Sequence, residues 1–95
     1  MENTISNQKI EKYLGVTSEA IQKVKAAGFD SARVKHAEDF LDMAERYYSD
    51  AQHFYKKGDY VNAFAAVNYA HGWLDAGARI GLFKVKDSRL FTVDD

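Results

Sequence analysis

Four polar residues in the last third of this chain carry its best candidate chemistry. Asn68, His71, Asp75 and Arg79 are spaced three, four and four residues apart, so on a helix they share one face. Read as chemistry, His71 and Asp75 are a metal-ligand pair or an acid–base pair one turn apart. Read as structure, the stripe is an edge in which Asp75 pairs with both His71 and Arg79. A metal site needs three or four ligands with supporting partners, and this helix offers two. The structural reading is therefore preferred, and no cofactor is expected.

Asp50 is the second candidate. It sits at the edge of an apolar arc, between Tyr47 and Phe54. A carboxylate there must reach solvent or find a donor, because burying it unpaired is too costly. Counting back from Gly58 sets it level with Val67 and Asn68 on the next segment, where a structural hydrogen bond is expected. Arg46 and His53 match the Arg-x4–6-His spacing of the helical nucleases of toxin systems. Both fall on the outward face of their segment, and the match is read as chance. The tyrosines 47, 48, 55, 60 and 69, with Trp73, are read mainly as core and rim residues whose polar tips reach water.

Three amphipathic segments must position these side chains. Ile10, Leu14, Thr17, Ile21 and Val24 step by four and three, which predicts a helix over 5–27, ended at Gly28. Gly15 lies on its polar side. Val34, Ala37, Leu41, Ala44, Tyr48, Ala51 and Tyr55 predict a second helix over 31–57, with Asp30 or Ser31 as its N-cap. His36, Phe40, Met43, Tyr47 and Phe54 make a second stripe beside the first. Ala63, Val67, Ala70, Leu74 and Ala78 predict a third helix over 60–80, capped by Asp59. The link between the second and third is about two residues, so they must be antiparallel neighbours. Leu41, Tyr48, Val67 and Leu74 are the expected central core. Gly72 and Gly77 lie inside the third helix and need a packing reason, since glycine costs about 1 kcal/mol there against alanine.

The predicted fold is all-α: an up-and-down antiparallel three-helix bundle in one domain, 1–95, with a short non-helical tail over 82–95. The absence of proline fits long helices. Tyr69, Trp73 and Ile80 form a flank on the third helix, on the side opposite Asn68, Asp75 and Arg79. The tail or a second copy of the chain is expected to cover it, since a bare patch of this size is near the limit for a monomer.

Composition narrows the function. The chain is 46% hydrophobic and 28% charged, with a net charge of −1 and thirteen spread basic residues. Nucleic-acid binding draws on clustered cations and is not expected. There is no cysteine, which removes thiolate chemistry and Cys-type zinc sites. No apolar run approaches the ~20 residues of a membrane span. The start, Met1-Glu2-Asn3-Thr4, lacks a signal-peptide pattern, and a cytoplasmic location is expected.

The run Tyr47-Tyr48-Ser49-Asp50-Ala51, then Gly58-Asp59-Tyr60, Ala63-Phe64-Ala65, Asn68 to Gly77, and Gly81-Leu82-Phe83 resembles the archaeal family called domain of unknown function 357. The resemblance covers roughly residues 8 to 85 and implies a compact three-helix up-and-down fold. It implies no activity and no catalytic residue. The expected function is a non-enzymatic interaction or structural module, with a homodimer or another protein as partner through Tyr69, Trp73 and Ile80. The alternative is a small metal-binding protein or hydrolase using Asp50, His71 and Asp75. Convergence of those three side chains would favour the second.

Overall fold

The computed structural model describes residues 5–93. The polar start, 1–4, and the last two residues of the expected tail, 94–95, lie outside the described residues. Three helices form: α1 Asn7–Ala27, α2 Val34–Lys56 and α3 Tyr60–Arg79. They make up 72% of the described residues. Ser6 caps α1 by accepting from the Lys9 N–H, and Asp59 caps α3 by accepting from the Asn62 N–H. Both satisfy first-turn donors that no helical carbonyl can reach. α1 runs unbroken through Gly15.

The expected start of α2 is corrected by three residues, from 31 to Val34. Asp30 does not cap the helix. Its carboxylate instead accepts from the Ala32 N–H and from the Arg33 guanidinium, at 3.4 and 2.6 Å. That turn occupies 30–33 and postpones the helix. The Arg33 guanidinium holds the Asp30 carboxyl below its usual range.

Side-chain pairs fix the directions. Phe40 meets Trp73, Tyr47 meets Tyr69 and Tyr55 meets Tyr60, so α2 and α3 run antiparallel. Lys25 pairs with Glu45 at 2.9 Å, and the Tyr55 hydroxyl donates to Glu11 at 2.7 Å, so α1 and α2 are antiparallel too. The bundle is up-and-down, as the three apolar stripes require.

The core has two connected parts. At one end Ala20, Ile21, Val24, Leu41, Ala44 and Leu74 pack together, and at the other Ala51, Ala66 and Val67 meet Tyr13, Leu14, Phe54 and Phe64. Leu41, Val67 and Leu74 are buried as expected. Tyr48 is not central: it touches both parts but is only half-buried, because it also lines the open α1–α2 edge beside Gln22, Lys25 and Gln52.

The described tail is non-helical and belongs to the core. Leu82, Phe83, Val85, Leu90 and Phe91 are all buried. Its first stretch pairs with the α1–α2 loop: Asp30 N–H donates to Leu82 O, and Lys84 N–H to Gly28 O, at 2.9 and 3.1 Å. Gly77 has its packing reason here. A side chain at 77 would place its first carbon 2.3 Å from the Phe83 ring.

Candidate functional site

The polar stripe of α3 is split by its surroundings. His71 lies in the seam between α1 and α3, half-buried. Its Nδ1 is 3.0 Å from the hydroxyl of Thr17, and its Nε2 is 2.6 Å from the carbonyl oxygen of Leu90. A carbonyl only accepts, so Nε2 carries a proton and donates. In the neutral ring Nδ1 then accepts from the Thr17 hydroxyl. Thr17 is 1% exposed, and this bond satisfies a hydroxyl that water does not reach.

Asp75 works one turn further on. Its Oδ1 accepts from the Thr92 N–H at 3.0 Å and stands 3.7 Å from His71 Nε2. The ring of Phe91 stacks beside the His71 ring. On the α1 side Arg89 reaches Glu19, whose carboxyl it holds below the usual range. His71 and Asp75 hold the backbone at Leu90 and Thr92, and Glu19 holds the Arg89 side chain, so the segment is fastened across the α1–α3 seam. Both nitrogens of His71 are engaged, so a ligand on this ring would have to displace Thr17 or the tail.

The other members of the stripe do not join them. Arg79 is exposed and makes no ion pair with Asp75, contrary to the expected pairing. It borders an open depression with Lys84, Lys86, Phe83 and Val93. Asn68 is exposed and faces a furrow with Gly72, Trp73 and Ala76. Asp50 lies elsewhere again. It is exposed in a groove between α2 and α3, beside Tyr47, Phe54, Asn62, Ala65 and Tyr69. The expected hydrogen bond from Asp50 to α3 does not form; the carboxylate reaches solvent instead. Asp50 therefore does not converge with His71 and Asp75. Among the described residues no group of three His, Asp or Glu side chains is placed to hold a metal ion. Arg46 pairs with Asp42 at 2.8 Å, and His53 lies against Phe54, so these two do not act together either.

The tail takes the opposite side of α3 from the flank that either it or a second copy of the chain was expected to cover. It is drawn to His71 and Asp75, whose polar atoms bind its backbone. The flank of Tyr69, Trp73 and Ile80 is left without it. Trp73 is half-buried, edge-on to Phe40 with ring centres 5.0 Å apart. Tyr69 and Ile80 remain 55% and 52% exposed. Sequence reasoning missed Thr17 as a partner of His71. A hydroxyl in the middle of an apolar stripe was the available signal, since such a group needs a bond from a neighbouring element.

A family model described as "Protein of unknown function (DUF357)" matches residues 12–83. No curated protein and no solved structure matches the chain. The matched span begins inside α1, takes in α2 and α3 and stops at Phe83, so the segment held by His71 and Asp75 lies beyond it.

Proposed function

The chain belongs to the DUF357 family, and we propose that it is a non-enzymatic interaction module of the cytoplasm that engages a protein through the outer side of α3. One observation carries this reading. Val61, Tyr69 and Ile80 are each more than half exposed on that side, and Trp73 is only half-covered beside them. Helices normally bury such residues, because apolar area is worth about 25 cal/mol per Å² when removed from water. Exposed apolar side chains that neither neighbour helix nor tail covers are suited to a protein partner. Tyrosine and tryptophan are the residue types that such contacts favour.

The reading is supported from the other side by the polar stripe. His71 and Asp75 are occupied in holding the tail, and Asp50 is on a different surface. A hydrolase or metal-binding role would need all three in one place. No helix of the described residues is long and apolar enough to cross a membrane, which fits a module that meets partners in solution.

The test is site-specific photo-cross-linking in cells. A photoreactive phenylalanine analogue at position 69 is expected to capture a protein, while the same group at position 12, exposed on α1, does not. Equal capture from both positions, or none from position 69, would refute the assignment.

A further inference from the structure

Two charges without partners lie toward opposite ends of the exposed side of α3, outside the furrow of Gly72, Trp73 and Ala76 that falls between them. Asp50 is at one end, beside Ala65 and Tyr69. Arg79 is at the other, exposed in the last turn of the helix. Neither has a hydrogen bond or ion pair among the described residues. Gly72 lies midway in the helix interior, where glycine costs about 1 kcal/mol against alanine. A methyl group there would meet no atom within 4 Å, so packing inside the chain does not account for it.

We propose that the occupant of this furrow is a second copy of the chain, laid antiparallel across α3 on a two-fold axis at Gly72. The proposal rests on reading this face as an interaction surface, and it names the partner. Charge and register carry it. Ala65 and Arg79 each lie seven residues from Gly72, which is about 10 Å along the axis in either direction. A two-fold axis at Gly72 exchanges these ends. The partner's Arg79 comes level with Ala65, where the Asp50 carboxylate and the Tyr69 ring offer it a counter-charge and a π face. By the same symmetry Arg79 meets the partner's Asp50. Each copy supplies both halves, so one contact closes two ion pairs. Tyr69 and Trp73 fill the space between, Ile80 extends the contact just beyond Arg79, and Gly72 at the crossing lets the backbones approach. A 20-residue helix offers a face of about 30 by 10 Å. With the adjoining side of α2 this lies at the low end for a stable interface, so the dimer dissociates on dilution.

The chain has no cysteine, so Gly72→Cys introduces a single reporter. The two-fold axis brings the two reporters within the ~7 Å Cα separation that a disulfide needs. Oxidation is expected to give a covalent dimer from Gly72→Cys much faster than from Lys12→Cys on the far side. In sedimentation experiments Asp50→Arg and Arg79→Asp should each weaken self-association roughly tenfold. The double variant D50R/R79D should restore it, with helix content checked by circular dichroism throughout. Equal cross-linking at both positions, or no recovery in the double variant, overturns the dimer. A monomeric purified chain whose position 69 still captures another protein in cells also overturns it and leaves the interaction reading standing. A monomer with no capture from position 69 refutes both.

Discussion

Phe83 lies flat against Gly77, and its ring occupies the space that any side chain at 77 would need. The nearest ring atom is 2.3 Å from where that carbon would sit. Phe83 is 1% exposed and cannot swing aside. Gly77→Ala is therefore expected to destabilise the fold by about 1–3 kcal/mol from overpacking, less the ~1 kcal/mol gained in helix propensity. Gly72→Ala, one and a half turns earlier, should show that gain with no overpacking to offset it. Thermal melts of both variants at low protein concentration would check this. Equal melting temperatures would show that the Phe83 contact does not constrain the helix.

Leu74 is fully buried at the centre of the larger core, with Leu41, Phe83 and Phe91 in the same cluster. Leu74→Ala should cost about 2–5 kcal/mol, the transfer term plus the cavity it leaves. Val61→Ala, on a residue 59% exposed, should change stability by less than about 0.5 kcal/mol. Denaturant unfolding of the two variants measures the contrast.

The tail is held by polar groups as well as by its apolar side chains. His71→Ala removes the donor to Leu90 and leaves the Thr17 hydroxyl buried without a partner. The expected loss is about 1–3 kcal/mol. The amides of Phe91 and Thr92 should then exchange with solvent faster, while those in the middle of α2 keep their protection. Asp75→Asn keeps an acceptor for the Thr92 N–H and should have a smaller effect. Unchanged exchange in His71→Ala would mean that Leu90 and Phe91 hold the tail unaided.

Tyr55 should ionise well above the ordinary tyrosine range. Its hydroxyl donates to Glu11, and that bond pushes its pKa up to about 12. The unfolded value is about 10. A raised pKa means that the contribution is fully present below about pH 10 and is lost as pH rises through about 12. Spectrophotometric titration of phenolate should show one late component, absent in Tyr55→Phe and shifted down in Glu11→Gln. A late component that persists in Tyr55→Phe would assign it to another ring.

Periodicity alone was enough for the helices, because burial of one face repeats every turn and leaves its mark at every step. The stripes of Val67, Ala70 and Leu74, and of Leu41 and Ala44, point inward as their spacing required. The cap at Asp59 was legible for a similar reason: the donors it satisfies lie within three residues. The cap expected at Asp30 failed because Arg33 competes for the same carboxylate, a contest of local geometry that residue type does not decide. For the candidate site, spacing correctly set His71 and Asp75 one turn apart. What each would meet depended on the tail and on α1, whose placement against α3 is not encoded in the spacing of α3 itself. Only the tertiary structure decided that the tail crosses the α1–α3 seam. His71 and Asp75 bind the backbone of 90–92, whose N–H and C=O groups are the same whatever the side chains and so leave no pattern in the sequence. The same choice left Tyr69 and Ile80 open. The tail's apolar residues could have covered either side of α3, and the polar atoms of His71, Asp75 and Glu19, far from it in sequence, hold it on one.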